Sequence, residues 1–184
     1  MMKLFKRAAA ASNAEPHWQA EQRIASLFRL RSFYRVHSFA VHGMALLDPD
    51  RYDAFLSLDI EPKDLALHSR EALAASRFIT DSEEGKRIWN YTTSDASRTV
   101  LDEMKKKAGV RSLKALYRDA GCVDLVLSGG VIELQPWRHM GGERWMLFKN
   151  RETIKFPETV SDEELGTALL SELEVSRNGS YEGT

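Results

Sequence analysis

The strongest constraint on the fold is a β-hairpin signal near the middle of the chain. In "VDLVLSGGVIELQPW", two apolar segments flank Ser128, Gly129 and Gly130. Consecutive glycines readily adopt the positive φ angles of a tight hairpin turn. Four shorter segments rich in β-branched and aromatic residues predict further strands: "SFYRVHSFAV", "AFLSLDIEP", "WMLFKN" and "ETIKFP". Together these signals predict a mainly antiparallel sheet.

Capping residues predict helices between the strands. Pro62 fits the first turn of a helix that reaches about Arg77, and Ser112 fits the start of a shorter one. Asp81 and Ser161 are each followed by a glutamate three residues later, which is the spacing of a capping pair. Two more helices are predicted, from Asn13 through "AEPHWQAEQRIASLFRLR" and from Ser94 to a stop at Gly109.

Two of these helices end alike, in "EALAASRF" (71–78) and "SELEVSRN" (171–178). Leu65, Ser69, Leu73 and Ser76 lie at helical spacing on one face of the first helix, as do Leu165, Leu169, Leu173 and Ser176 on the second. We expect this serine to bond to a carbonyl one turn earlier and the following arginine to interact with the helix C-terminus. Each helix follows a short strand, so the two strand–loop–helix units are either distant structural equivalents or similar by chance.

At 184 residues the chain fits one domain, and 43% of its residues are hydrophobic, enough for a sizeable core. The predicted fold class is α+β: a single domain with a mainly antiparallel β-sheet packed with several α-helices. Its expected parts are a disordered tail (1–12), an N-terminal helical extension (13–31), the α+β domain (32–178) and a flexible tail (179–184).

The sequence predicts a cytoplasmic protein. Cys122 is the single cysteine, so the chain cannot form an internal disulfide, as is usual in a reducing compartment. The apolar part of the N-terminus is a few alanines, too weak for export. No segment approaches the roughly 18 apolar residues of a membrane span.

Catalytic and metal-binding patterns are weak, so we predict no enzyme, no cofactor and no small-molecule substrate. Cys122 adjoins an apolar strand, where a small buried side chain fits better than a nucleophile. The five histidines lack cysteine, aspartate or histidine neighbours at metal-ligand spacing. "LSGGV" lacks the lysine of a phosphate-binding loop.

Charge is strongly segregated along the chain, which favours a binding role. Residues 85–118 hold nine basic and three acidic side chains. The basic region Lys105–Arg118 could bind nucleic acid with Tyr117 stacking on a base, but Tyr117 shares a helical face with two leucines and fits the core better. Binding of nucleic acid is therefore the alternative interpretation.

Residues 44–84 instead hold ten acidic and four basic side chains, a density that could attract a basic protein partner. A loop predicted over residues 136–145 adds the aromatic and arginine side chains that are enriched at binding hot spots. The candidate binding residues are Asp48, Asp50, Asp53, Asp59, Glu61, Glu83, Glu84, Trp137, Arg138, His139 and Trp145.

Four stretches resemble the contact-dependent growth inhibition immunity proteins (CdiI). They are "SFYRV", "FLSLDIEPKDLALHSREALAASRFIT", "SLKALYRDAGCVDLVLSGGVIELQPWRH" and "IKFPETVSDEELGTALLSELEVSR". The resemblance covers about residues 32–178 and contains no catalytic motif. It implies a bacterial cytoplasmic protein that binds and neutralises the C-terminal toxin domain of a cognate CdiA protein, often a nuclease. Complementary charge would speed the encounter with such a toxin.

Overall fold

A computed structural model describes residues 21–148 and 151–179, which form nine strands and five helices. The strands are β1 (Arg23–Arg29), β2 (Tyr34–Val41), β3 (Ala45–Leu47), β4 (Asp53–Leu56), β5 (Arg77–Phe78), β6 (Gly121–Ser128), β7 (Val131–His139), β8 (Trp145–Leu147) and β9 (Ile154–Pro157). The helices are α1 (Pro62–Ala75), α2 (Ser82–Thr93), α3 (Ala96–Ala108), α4 (Leu113–Leu116) and α5 (Asp162–Asn178).

The described strands form one sheet in the order β3-β2-β1-β6-β7-β8. β4 and β5 also pair with β2, and β9 also pairs with β7. Every pairing is antiparallel except that of β2 with β5. The mixed α+β fold with a mainly antiparallel sheet is therefore confirmed.

The main core lies between one face of the sheet and helices α1 and α5. Leu27, Val36 and Val123 point from the strands into this core, where they meet Leu65 and Leu165 of the helices. A second apolar cluster covers part of the opposite face, because α3 and α4 pack there. Side chains alternate between the two faces along each strand, so every inner strand contributes to both.

The predicted N-terminal helix is wrong where the structure describes it, because residues 23–29 form β1. This strand pairs with β2 on one side and β6 on the other, in the centre of the sheet. Ile24, Leu27 and Phe28 fit a helical spacing, but hydrogen bonds to two neighbouring strands outweigh that local preference. Residues 13–20, the predicted tail 1–12 and residues 180–184 of the predicted tail 179–184 lie outside the described part of the chain.

Most predicted helix starts are confirmed. Pro62 is in the first turn of α1, and the side chains of Asp81, Ser112 and Ser161 accept backbone N–H hydrogen bonds at the starts of α2, α4 and α5. The cap predicted at Ser94 is wrong, since this residue ends α2 instead.

The two halves of the chain repeat one pattern of hairpin, two short strands and helix. The β1–β2 pair Ala25–Ser38 corresponds to the β6–β7 pair Val123–Pro136, with both residues displaced by the same number of positions. The pairings of the short strands agree as well: β3 and β4 both pair with β2, and β8 and β9 both pair with β7. Of the two alternatives left open by the sequence, the structure favours equivalence of the two strand–loop–helix units over chance similarity, and the equivalence extends over each half of the sheet.

The shared serines tie each helix to its own hairpin. The Ser76 hydroxyl donates to the Phe39 carbonyl oxygen and accepts the Ile24 N–H, both at 2.8 Å. In the same way, the Ser176 hydroxyl donates to a β7 carbonyl and accepts the Cys122 N–H at 2.8 Å. The predicted bond to the helix's own previous turn is wrong for both, because the serines bond to the sheet.

Candidate functional site

Two of the acidic candidates are held by arginines inside the protein. Asp48 is 1% exposed, and its carboxylate binds Arg77 at 2.6 and 2.8 Å. Asp53 binds Arg35 through two hydrogen bonds of 2.8 Å and also binds Arg51 at 2.9 Å. Their charges are therefore largely compensated within the fold, and the buried Asp48 is not available to a partner.

The other acidic candidates lie nearer the surface. Glu84 binds Arg87 and Arg77, and these hydrogen bonds lower its pKa to about 2. Asp50 and Glu83 have side chains that are 68% and 78% exposed, with arginine or lysine partners at the surface. Asp59 and Glu61 are exposed just before α1 and form no ion pair within the described residues.

The predicted loop 136–145 is instead a β-hairpin formed by β7 and β8, with a turn at Gly141 and Gly142. Trp145 packs within the second apolar cluster, its ring centroid 4.8 Å from that of His139. His139 is 8% exposed and Arg138 is half-buried. This hairpin therefore offers a partner less aromatic surface than the sequence indicates.

The basic region is exposed around α3 and α4. Lys106, Lys107, Arg111, Lys114 and Arg118 are exposed and have no ion pair among the described residues. Tyr117, however, is 6% exposed, and burial raises its pKa to about 12. The core position predicted for Tyr117 is confirmed, so it is not available for stacking on a base.

Cys122 and His37, a candidate nucleophile and a candidate base, are both buried. Cys122 is 3% exposed, and burial raises the pKa of its thiol well above the usual 9.0. Burial also lowers the pKa of His37 well below 6.5, and its Nδ1 atom has no hydrogen-bond partner. No group of three potential metal ligands occurs in the described ranges.

Asp124 is a polar group that the sequence interpretation missed. It lies partly buried on the sheet face opposite α1 and α5. Its carboxylate accepts a hydrogen bond from the Ser26 hydroxyl and another, of 2.8 Å, from the indole N–H of Trp137. Burial raises its pKa to about 6, although both hydrogen bonds oppose that shift. A signal was present, since Asp124 is the one charged residue in the apolar strand "GCVDLVLS".

Comparison with known families identifies this fold. The profile of the CDI immunity protein family matches residues 23–176. The chain belongs to the CDI immunity protein family. The match begins at β1, earlier than the predicted start at residue 32, and so includes the central strand of the sheet. The family resemblance seen in the sequence is therefore confirmed.

Two solved structures share the fold of this family member. A protein of unknown function from Neisseria meningitidis has a TM-score of 0.73 and 22% identity, covering 85% of this chain and 96% of its own. The CdiA-CT/CdiI toxin and immunity complex from Yersinia pseudotuberculosis has a TM-score of 0.67 and 20% identity, covering 85% and 97%. No curated protein sequence matches this chain. No helix in the described ranges is long and apolar enough to cross a membrane.

Proposed function

We propose that this protein binds and neutralises the C-terminal toxin domain of a cognate CdiA protein in the bacterial cytoplasm. The observation that carries the proposal is the family match, which spans residues 23–176. The fold shared with the Yersinia toxin and immunity complex supports it. We further propose that the toxin is a nuclease and that neutralisation occurs by binding, without a reaction catalysed by the immunity protein.

Burial of the candidate reactive groups supports a binding role. A nucleophilic cysteine needs an accessible thiolate, whereas the Cys122 thiol is buried and its pKa is raised. A general base needs access to its substrate and a suitable pKa, whereas His37 is 3% exposed and its pKa is lowered.

The exposed acidic residues are the surface that we propose for a basic toxin. A nuclease carries cationic groups that bind phosphates, so an acidic surface is complementary to it. Asp50 and Glu83 lie on one such surface, since Arg87 links Asp50 to α2, the helix that carries Glu83. Asp59 and Glu61 lie on another, at the start of α1. Asp53 is a poor test position, because its carboxylate holds two arginines.

Co-expression with the toxin domain encoded beside this gene tests the proposal. We expect the cells to survive and the two proteins to co-purify. Cell death without a complex would contradict toxin neutralisation. Replacing both Asp50 and Glu83 with lysine should slow association about tenfold at low salt and less at high salt. Glu174→Lys is the matched control, because Glu174 is exposed and paired with an arginine, as Asp50 is, but lies on α5, outside the proposed surfaces.

Nucleic-acid binding is a second candidate function, favoured by the exposed basic side chains around α3 and α4. Such contacts would neutralise phosphates and weaken steeply with salt. A gel-shift assay with RNA and DNA tests this function. A salt-dependent shift that is lost on replacing Lys106 and Lys114 with glutamine would support it. No shift at low salt would exclude it.

A further inference from the structure

The sheet face opposite α1 and α5 carries a polar row through its centre. Register places His37 of β2, Ser26 of β1, Asp124 of β6 and Gln135 of β7 side by side. Adjacent residues in such a row lie about 5 Å apart and point to the same face. The main core fills the other face with apolar side chains. A polar row at the centre of a sheet therefore calls for a physical explanation.

Asp124 is the anionic residue of this row, and it can still accept hydrogen bonds. Ser26 donates to one carboxylate oxygen and Trp137 to the other. A carboxylate offers about four acceptor positions, so these bonds leave about half of them open. The Asp124 residue is partly exposed on this face of the sheet.

The described chain places no cation on Asp124. Elsewhere in the sheet, Arg35 binds Asp53, and Lys155 binds Glu133 at 3.1 Å. A partly buried carboxylate without a cation destabilises the fold, whereas asparagine could accept the Trp137 N–H without that charge. The negative charge is therefore better explained by a partner that uses it than by the internal structure of the sheet.

We propose that Asp124 is the receptor for a lysine or arginine side chain of the toxin, which docks on this sheet face. This inference deepens the proposed function and rests on it. The half-buried ring of Trp137, whose indole N–H already fixes the Asp124 carboxylate, can also pack against an incoming cation. A charge pair that is shielded from water in this way slows dissociation more than an exposed pair does.

The other titratable groups nearby allow a pH test. They are His37 on β2, Cys122 on β6 and Glu133 on β7. Arg35 of β2, Asp53 of β4, His139 of β7 and Tyr117 lie further along the same face. Burial lowers the pKa of His37 and raises that of Cys122, and hydrogen bonds from Gln135 and Lys155 lower that of Glu133. Among His37, Cys122, Glu133 and Asp124, Asp124 is therefore the group expected to change charge between about pH 5 and pH 7.5, and comparison with Asp124→Asn separates its titration from that of the other groups.

The experiment compares the wild-type protein with Asp124→Asn, free and in complex with the CdiA toxin domain. NMR titration of the Asp124 carboxyl carbon should give a pKa near 6 in the free protein and at least one unit lower in the complex. Wild-type affinity should fall about five- to tenfold from pH 7.5 to pH 5. For Asp124→Asn we expect affinity at pH 7.5 to be about 10- to 100-fold weaker and this pH response to be lost.

Asp119→Asn is the matched control, because Asp119 is exposed and asparagine tolerates its positive φ of 56°. Its affinity should equal that of the wild type. An unchanged Asp124 pKa in a complex that does form would overturn the inference while leaving the proposed function intact. So would wild-type affinity in a folded Asp124→Asn variant. Failure of the wild type to bind the toxin would overturn both.

Discussion

Replacing Asp124 with asparagine should stabilise the free protein at neutral pH. The pKa of an ordinary aspartate is 3.8 and that of Asp124 is raised to about 6. This difference of about 2 units, at about 1.4 kcal/mol per unit, means that ionised Asp124 lowers the free energy of unfolding by about 3 kcal/mol. Asparagine is close in size and can accept the same Trp137 N–H, so it should recover about 2 to 3 kcal/mol.

The sign of the pH dependence follows from proton binding. Between about pH 4 and pH 6, folded Asp124 keeps a proton that the unfolded chain has released, so stability falls as pH rises. Above about pH 6 both states are ionised, and the loss is constant. Below about pH 4 both are protonated, so the difference between the wild type and Asp124→Asn should disappear.

Urea unfolding, followed by tryptophan fluorescence at several pH values, measures this difference. The comparison of two variants cancels the titration of all other groups that the substitution leaves unaltered. A stabilisation that grows from about pH 4 to pH 6 supports the account. A variant that is less stable than the wild type at pH 7.5, or a difference independent of pH, would refute the assignment of Asp124 as a destabilised carboxylate.

Four further substitutions test the packing by urea or thermal unfolding. Ser76→Ala and Ser176→Ala should each lower the free energy of unfolding by about 1 to 3 kcal/mol, because each leaves backbone groups of the sheet unpaired. A loss of stability in only one of the two variants would contradict the equivalence of the two serines. Arg77→Ala should lower the free energy of unfolding by about 3 to 5 kcal/mol, because it leaves Asp48 buried and uncompensated. Adding Asp48→Asn should recover part of this loss. Strictly additive losses in the double variant would argue against the ion pair. Gly166→Ala should destabilise by at least about 1 kcal/mol, since its Cβ would lie 1.9 Å from a carbonyl oxygen of α1, and an unchanged melting temperature would exclude that close approach.

Local signals in the sequence predict the elements of the second half well. Gly129 and Gly130 have φ angles of 57° and 75°. The strands on either side of them pair continuously, beginning with Ser128 opposite Val131 next to the turn. The Ser161 cap of α5 is likewise a contact between residues close in sequence. Such signals suffice because the turn and cap geometries depend on few residues.

Features that depend on distant residues were not predictable in the same way. β1 is a strand because β2 and β6 supply its hydrogen bonds, and residue spacing alone does not include them. The sequence predicts that Asp48 lies at the surface, because its ion pair with Arg77 forms only in the folded protein. The repeat is difficult to detect in the sequence because it constrains which positions are buried more than which residues occupy them. Residues 61–77 and 161–177 follow the same order of buried and exposed positions, but few of their side chains are identical.

The central claim is that this protein neutralises the toxin by binding it. Titration calorimetry of the purified protein with the CdiA toxin domain encoded beside its gene tests this claim most directly, with toxin activity measured on the same samples. We predict a one-to-one complex with a Kd of about 10 nM or tighter, and loss of toxin activity in proportion to the complex formed. Absence of binding heat at several temperatures, together with full toxin activity in excess immunity protein, would contradict the claim.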